Sequence, residues 1–177
     1  MTNLGTDMNL LSVIENRSSV RDFLSVPLEE EKVLRILEAG RRAPSAKNRQ
    51  PWRFILIRDN AQRGKIQEAA YGQEYVGKAP GIIAVCTTNI DYRMPNGQLS
   101  YPIDLSFAVS FMMLQAQAED LGSCIVTTFH EADVREILTV PYSMKVVMLL
   151  LIGYPAAGAE NFQDRKPLDQ IFSFDHW

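Results

Sequence analysis

The sequence predicts a single domain that mixes helices and strands, of α/β or α+β class, and three observations carry that expectation. Four short apolar runs, Phe54–Ile57, Gly81–Val85, Ile125–Phe129 and Lys145–Ile152, have the length and composition of buried strands. Between them lie longer segments whose apolar residues recur at helical spacing. No linker and no internal repeat divides the 177 residues, so residues 1–177 read as one domain with 153–177 as an extended C-terminal arm. A hydrophobic share of 46% and a charged share of 22% are ordinary for such a domain. A chain of this size buries about 70% of its unfolded surface and needs no covalent staple.

Taken in order, Leu10, Leu11, Val13 and Ile14 predict a short helix ending before Arg17, and Asp22–Pro27 predicts a turn. Leu28–Arg42 carries Val33, Leu34 and Leu37 behind a run of glutamates that complements the positive end of a helix. Ala43–Trp52 is a polar loop with two prolines, followed by the first strand and by a helix over Asp59–Tyr71. Asp104–Leu121 repeats Leu105, Ala108, Val109, Met112, Met113 and Ala116 at 3.6-residue spacing and is the least charged long segment. A helix so apolar belongs at the domain centre, at a subunit interface, or both. Glu131–Leu138 predicts a short helix flanked by His130. Beyond Gly153 the aromatic residues Phe172, Phe174 and Trp177 require an apolar surface to cover.

Several functions are disfavoured. A net charge of −3 opposes the broad basic field of a nucleic-acid binder. Cys86 and Cys124 lie far apart with no ligand spacing, so neither a dithiol site nor a metal site is signalled, and both read as small buried hydrophobes. Met1–Asn9 has no basic leader and no apolar run reaches about 18 residues, which makes a cytoplasmic location without membrane attachment the expectation. Gly72–Ala79 matches G-x-x-x-x-G-K, but Ala79 has no hydroxyl, Pro80 blocks a following helix, and no strand precedes it. There is no G-x-G-x-x-G and no G-x-S-x-G, and His130 and His176 cannot cluster by spacing.

Two arginine-rich stretches stand near opposite ends, Arg17-Ser18-Ser19-Val20-Arg21 and Arg165-Lys166-Pro167. If the fold joins them, guanidinium forks and hydroxyl donors make a phosphate site; if it does not, they are two solvated patches. Between them, Ala43-Pro44-Ser45-Ala46-Lys47-Asn48-Arg49-Gln50-Pro51-Trp52 crowds amides, a hydroxyl and cations. Asn and Gln each donate and accept, which suits a heterocycle with alternating C=O and N–H groups; the same loop also suits a polar turn fixed by Pro44 and Pro51.

These two segments, with Leu121-Gly122-Ser123-Cys124, Gly153-Tyr154-Pro155 and Arg165-Lys166-Pro167-Leu168 following in order, closely resemble the nitroreductase family of FMN-dependent oxidoreductases. The likeness runs over roughly residues 10 to 170. The resemblance implies an α+β fold with a central mixed sheet flanked by helices, working as an intertwined homodimer with FMN at the interface. NAD(P)H would be the electron donor, and a nitroaromatic, quinone or similar conjugated small molecule the acceptor, in a ping-pong cycle. By the same resemblance Arg17, Ser18 and Ser19 would hold the FMN phosphate and ribityl chain with Arg165 and Lys166, and Arg21 would approach the pyrimidine end. Pro44, Ser45, Ala46, Asn48 and Gln50 would form the loop that faces the ring from the other subunit. Thr127 and Thr128 would lie beside flavin N5, where many relatives carry Glu-Gly or Gly-Ala. That departure leaves room for a flavin-storage or sensing protein, or for a reductase of the same fold with other chemistry such as dehalogenation or enoate reduction. Ile90–Tyr101 is too short for a large substrate lid.

Overall fold

The computed structural model describes residues 10–158 and 164–176. The leader reading of Met1–Asn9 and the aromatic Trp177 lie outside them. In chain order the elements are α1 (Ser12–Asn16), α2 (Glu30–Arg41), β1 (Trp52–Ile57), α3 (Asn60–Ala69), α4 (Glu74–Lys78), β2 (Gly81–Thr87), α5 (Ser100–Ala118), β3 (Gly122–Val126), α6 (Glu131–Ile137) and β4 (Lys145–Gly153).

The four strands form one sheet in the order β1-β2-β4-β3. Every pairing is antiparallel. The expected mixed sheet is therefore corrected: among the described residues the one parallel pairing is the isolated bridge Ser19–Ser123, outside the named strands. Antiparallel pairing with long helical excursions between strands resolves the class to α+β.

β2 and β4 occupy the middle. All seven residues of β2 are buried, and its side chains alternate between two cores. Ile82, Ala84 and Cys86 join Ile66, Val76 and Val134 under α3, α4 and α6. Ile83 and Val85 join Val33, Ile36, Leu105, Val109 and Met112 under α2 and α5. The sheet is thus covered on both faces, which explains why its central strands read as continuous apolar runs. Gly40 lets α2 and α5 approach: a Cβ there would sit 2.5 Å from Met112 Cε.

The strands overlap the predicted runs, and β3 is the one displaced at both ends. β3 begins three residues earlier than expected because Gly122 and Ser123 take up sheet pairing beneath Val20, and a Cβ at Gly122 would lie 2.6 Å from a Val20 methyl. α4 occupies Glu74–Lys78, within the segment that matches a phosphate loop in composition, and has no strand before it. α5 starts at Ser100 rather than Asp104, since Pro102 is tolerated in a first helical turn.

Candidate functional site

The Pro44–Gln50 loop connects α2 to β1 at one edge of the sheet. Lys47 (φ 53°), Asn48 (φ 53°) and Gln50 (φ 49°) all adopt the left-handed region, which disfavours each non-glycine residue by about 1–2 kcal/mol. Local bonds over-determine that shape. The Asn48 N–H donates to the Ser45 carbonyl at 2.9 Å, the Gln50 N–H to Ser45 Oγ at 2.9 Å, and Gln50 Nε2 to Asn48 Oδ1 at 3.1 Å. The Ala46 N–H donates at 2.8 Å to Oδ1 of Asp104, a carboxylate only 2% exposed on α5. Its Oδ2 has no hydrogen-bond partner. Pro44 is exposed, while Pro51 is buried and accepts from the Thr88 N–H at 2.9 Å.

The Arg17–Arg21 stretch is anchored at the opposite edge. Ser19 bridges Ser123 of β3, and the Val20 N–H donates to the Ser123 carbonyl at 3.0 Å. Ser18 and Val20 are buried and line a cavity of about 320 Å³ together with Asp120 and Gly122. Arg17, Ser19 and Arg21 do not line it, as alternation along extended chain requires. The Ser18 hydroxyl is therefore separated from the face that carries the two arginines. Arg21 is exposed and places its guanidinium 5.9 Å from the Tyr75 ring centroid.

Thr127 and Thr128 follow β3 and are exposed. Two hydrogen bonds tie Thr128 to Tyr75, whose ring faces the Arg21 guanidinium. Tyr75 Oη donates to Gln73 Oε1 at 2.6 Å, and Gln73 Nε2 donates to the Thr128 carbonyl at 3.0 Å and to the Ala70 carbonyl at 2.7 Å. Arg21, Thr127 and Thr128 thus belong to one neighbourhood, organised by α4. Arg165 and Lys166 are exposed, and the described hydrogen bond of Arg165 is to the Asp164 carbonyl at 2.7 Å. Among the described residues no hydrogen bond joins that pair to Arg17, Ser18 or Ser19.

The two main halves are far apart within one chain. Trp52, which follows the loop, stands in register with Thr87 and Lys145, whereas Ser123 pairs with Ile152. Three strand spacings and seven residues of strand separate them, roughly 25–30 Å.

Motif spacing does not single out Gln73, Tyr75 or Asp104 as site residues. Asp104 had a signal, as the sole charge in a long apolar helix; Gln73 and Tyr75 lay inside the rejected phosphate-loop match. The cysteines take no part as nucleophiles. Burial, with the nearby Glu131 carboxylate, pushes the Cys86 thiol up to about 11, and burial raises Cys124 despite the Arg21 cation. No helix among the described residues is long and apolar enough to cross a membrane.

Known proteins share this arrangement. A family model described as Nitroreductase family matches residues 14–81 and 67–154. A protein of Archaeoglobus fulgidus, provisionally named NADH dehydrogenase/NAD(P)H nitroreductase, is 30% identical over 172 residues, covering 91% of this chain and 95% of that one. A 5,6-dimethylbenzimidazole synthase of Rhodospirillum rubrum is 32% identical over 165 residues, with 78% of each chain covered. The crystal structure of a nitroreductase family protein from Clostridium difficile matches with a TM-score of 0.84 at 31% identity, covering 96% of this chain and 100% of that one. An FMN-dependent nitroreductase from the same species is alike in fold, with a TM-score of 0.82 at 24% identity over 95% of this chain and 100% of that one. By family model, by relatives spanning most of its length and by fold, this chain is an oxidoreductase of the nitroreductase family.

Proposed function

We propose that the protein is a homodimeric, FMN-dependent oxidoreductase that takes electrons from NAD(P)H and delivers them to a nitroaromatic, quinone or similar conjugated acceptor in a ping-pong cycle. The observation that carries this reading is the chain of contacts Arg21–Tyr75–Gln73–Thr128. It brings the cation expected at the pyrimidine end of a flavin next to the loop expected beside its N5.

The residues fit such a group. Arg17 and Arg21 take part in none of the described ion pairs, so their charge remains available to an anion. A bound FMN would supply hydride and electron transfer. Arg21 would then stabilise negative charge at the ring and raise the potential, as a nearby cation does. Arg17 and Ser19 supply donors to phosphate and ribityl oxygens, and Ser18 supports them from the buried side of the stretch. The exposed Thr127–Thr128 backbone offers N–H groups toward N5, and its two hydroxyls and branched side chains narrow the space for an acceptor.

A second copy completes the site in this reading. Ser45, Ala46, Asn48 and Gln50 hang from the sheet edge opposite the one that anchors the Arg17–Arg21 stretch, so in this reading the loop of one copy faces the arginines of the other. Residues 1–177 then act as one domain, and the arm over 153–177 carries Arg165 and Lys166 to the phosphate. The separation between the two halves supports this pairing, as do the uncovered apolar side chains Phe107 and Phe111 on α5.

Purified protein should be yellow, and anaerobic NADH or NADPH should bleach it, with colour returning on addition of a nitroaromatic or quinone. Colourless protein that gains no flavin absorbance from added FMN overturns the proposal. Arg17→Ala should weaken FMN binding by about 1.5–3 kcal/mol, as loss of a charge-assisted contact does. Unchanged affinity would remove Arg17 from the phosphate site.

A further inference from the structure

We infer that the outer face of the Ser45–Gln50 loop, together with Tyr92, recognises an anionic group on a planar substrate. The inference rests on the oxidoreductase reading above and assigns to that same site a class of substrate: one bearing phosphate or carboxylate.

The loop has two faces. Asn48 and Gln50 bond to each other and to Ser45, while Lys47 and Arg49, between and beside them, turn to Tyr92. The Arg49 guanidinium carbon lies 3.8 Å from the Tyr92 ring centroid, and Lys47 Nζ lies 5.6 Å from it. The ring is half-buried and its backbone is held: the Ser100 N–H donates to the Tyr92 carbonyl at 3.0 Å, and Arg93 pairs with Leu99. Tyr92 is thus a fixed platform rather than a loose loop side chain.

The cations at this place have no ion-pair partner among the described residues. Lys47, Arg49 and Arg93 appear in none of the described ion pairs, and neither does the adjacent Asp91. Several other cations do pair with carboxylates, as Arg35 does with Glu119, Arg41 and Arg42 with Glu38, and Lys78 with Glu74. On a chain of net charge −3, two such cations against one ring, with Arg93 next to it in sequence, need a reason. Stacking supplies the geometry of one. The Arg49 guanidinium lies against the ring and donates in none of the described side-chain hydrogen bonds, so its N–H edge has no described partner. That edge matches the paired oxygens of a carboxylate or phosphate, and Lys47 adds a point charge beside it. The half-buried aromatic ring next to the fork suits the planar part of the same ligand.

Two sources supply that chemistry: the phosphates of the nicotinamide donor and a carboxylate on the acceptor. Calorimetric titration of the purified protein, with and without added FMN, separates them. The probes are NADP⁺, NAD⁺, 4-nitrobenzoate and uncharged nitrobenzene, and the variants are Arg49→Gln, Lys47→Gln and Arg49→Lys, all at exposed positions and checked for unchanged melting. If Arg49→Gln weakens either nicotinamide about tenfold, the group recognised is donor phosphate. If it weakens 4-nitrobenzoate by that factor and spares the nicotinamides, the group is an acceptor carboxylate. In either case added salt should shrink the difference between wild type and variant, and Arg49→Lys should fall between them. The inference is overturned if no probe is weakened, or if nitrobenzene is weakened as much as the anions. Failure of the oxidoreductase reading would register separately, as protein that gains no flavin absorbance.

Discussion

At the scale of single residues, Asp104 and the two thiols illustrate how burial decides what a side chain does. Asp104 spends one oxygen on the Ala46 N–H and leaves the other unpartnered, so a buried carboxylate acts as the peg for a surface loop. It was legible in principle, because a lone acid in an apolar helix has no other purpose, yet its partner 58 residues away was not. The thiols were legible outright: Cys86 and Cys124 are buried as apolar spacing implied. Since Cys86 is held neutral up to about 11 rather than 9.0, its contribution to stability is complete below pH 9 and fades as pH climbs toward 11. An aromatic disulfide reagent at pH 8 should therefore modify neither thiol in the folded protein and both in denaturant, read as released thiolate absorbance. Fast labelling of the native protein would contradict the burial.

At the scale of elements, α2 and α5 are latched by a polar cluster at the end of α5 as well as by their shared core. Arg35 forks onto Glu119 with bonds of 2.6 and 2.8 Å, Gln115 donates to the same carboxylate at 2.8 Å, and Lys32 donates to the Glu119 carbonyl at 2.9 Å. Lys32 and Glu29 meet again at the Tyr154 hydroxyl, which draws the chain beyond β4 into the latch. The Arg35 guanidinium, helped by Gln115, holds the Glu119 carboxyl down at about 2 instead of 4.5. A depressed acid stabilises the fold above pH 4.5, and that share is lost as pH falls toward 2. Glu119→Gln should melt lower than wild type at neutral pH and lose less on acidification across that window, by thermal melts at stepped pH. Parallel curves would remove Glu119 from the acid transition. None of these partners could be read from periodicity, which located both helices but says nothing about which polar ends meet. α4 escaped for a related reason: Pro80 and two glycines mask a five-residue helix whose stability comes from Val76 in the core.

At the scale of the whole molecule, the motifs were legible as segments, and their placement was not. Arg17–Arg21 and Pro44–Gln50 stand out in the sequence, but only the strand order β1-β2-β4-β3 reveals that they hang from opposite edges of one sheet. A site built from both segments, as proposed, would use two copies, and the molecule leaves apolar surface for a second one. Phe107 and Phe111, four residues apart on α5, are 47% and 39% exposed, and Leu10, Leu11 and Ile14 at α1 are exposed on the neighbouring surface. Mixed assembly provides the test. Arg17→Ala and Asn48→Ala proteins should each bind flavin poorly alone. Unfolded together and refolded, they should regain one intact site per mixed dimer, because each copy supplies what the other lacks. Flavin absorbance that stays at the level of the separate variants would rule out a site built from both chains.

The position of β2 has a temporal consequence. Its amides are locked between β1 and β4 and its side chains between two cores, so they meet water only when the whole sheet comes apart. Deuterium uptake should be slowest from Gly81 to Thr87 and along the β2-facing side of β4. The loops that hold the candidate ligand contacts should exchange long before. The protein thus keeps two clocks, a slow one at the centre of its sheet and fast ones at the two corners where chemistry would take place.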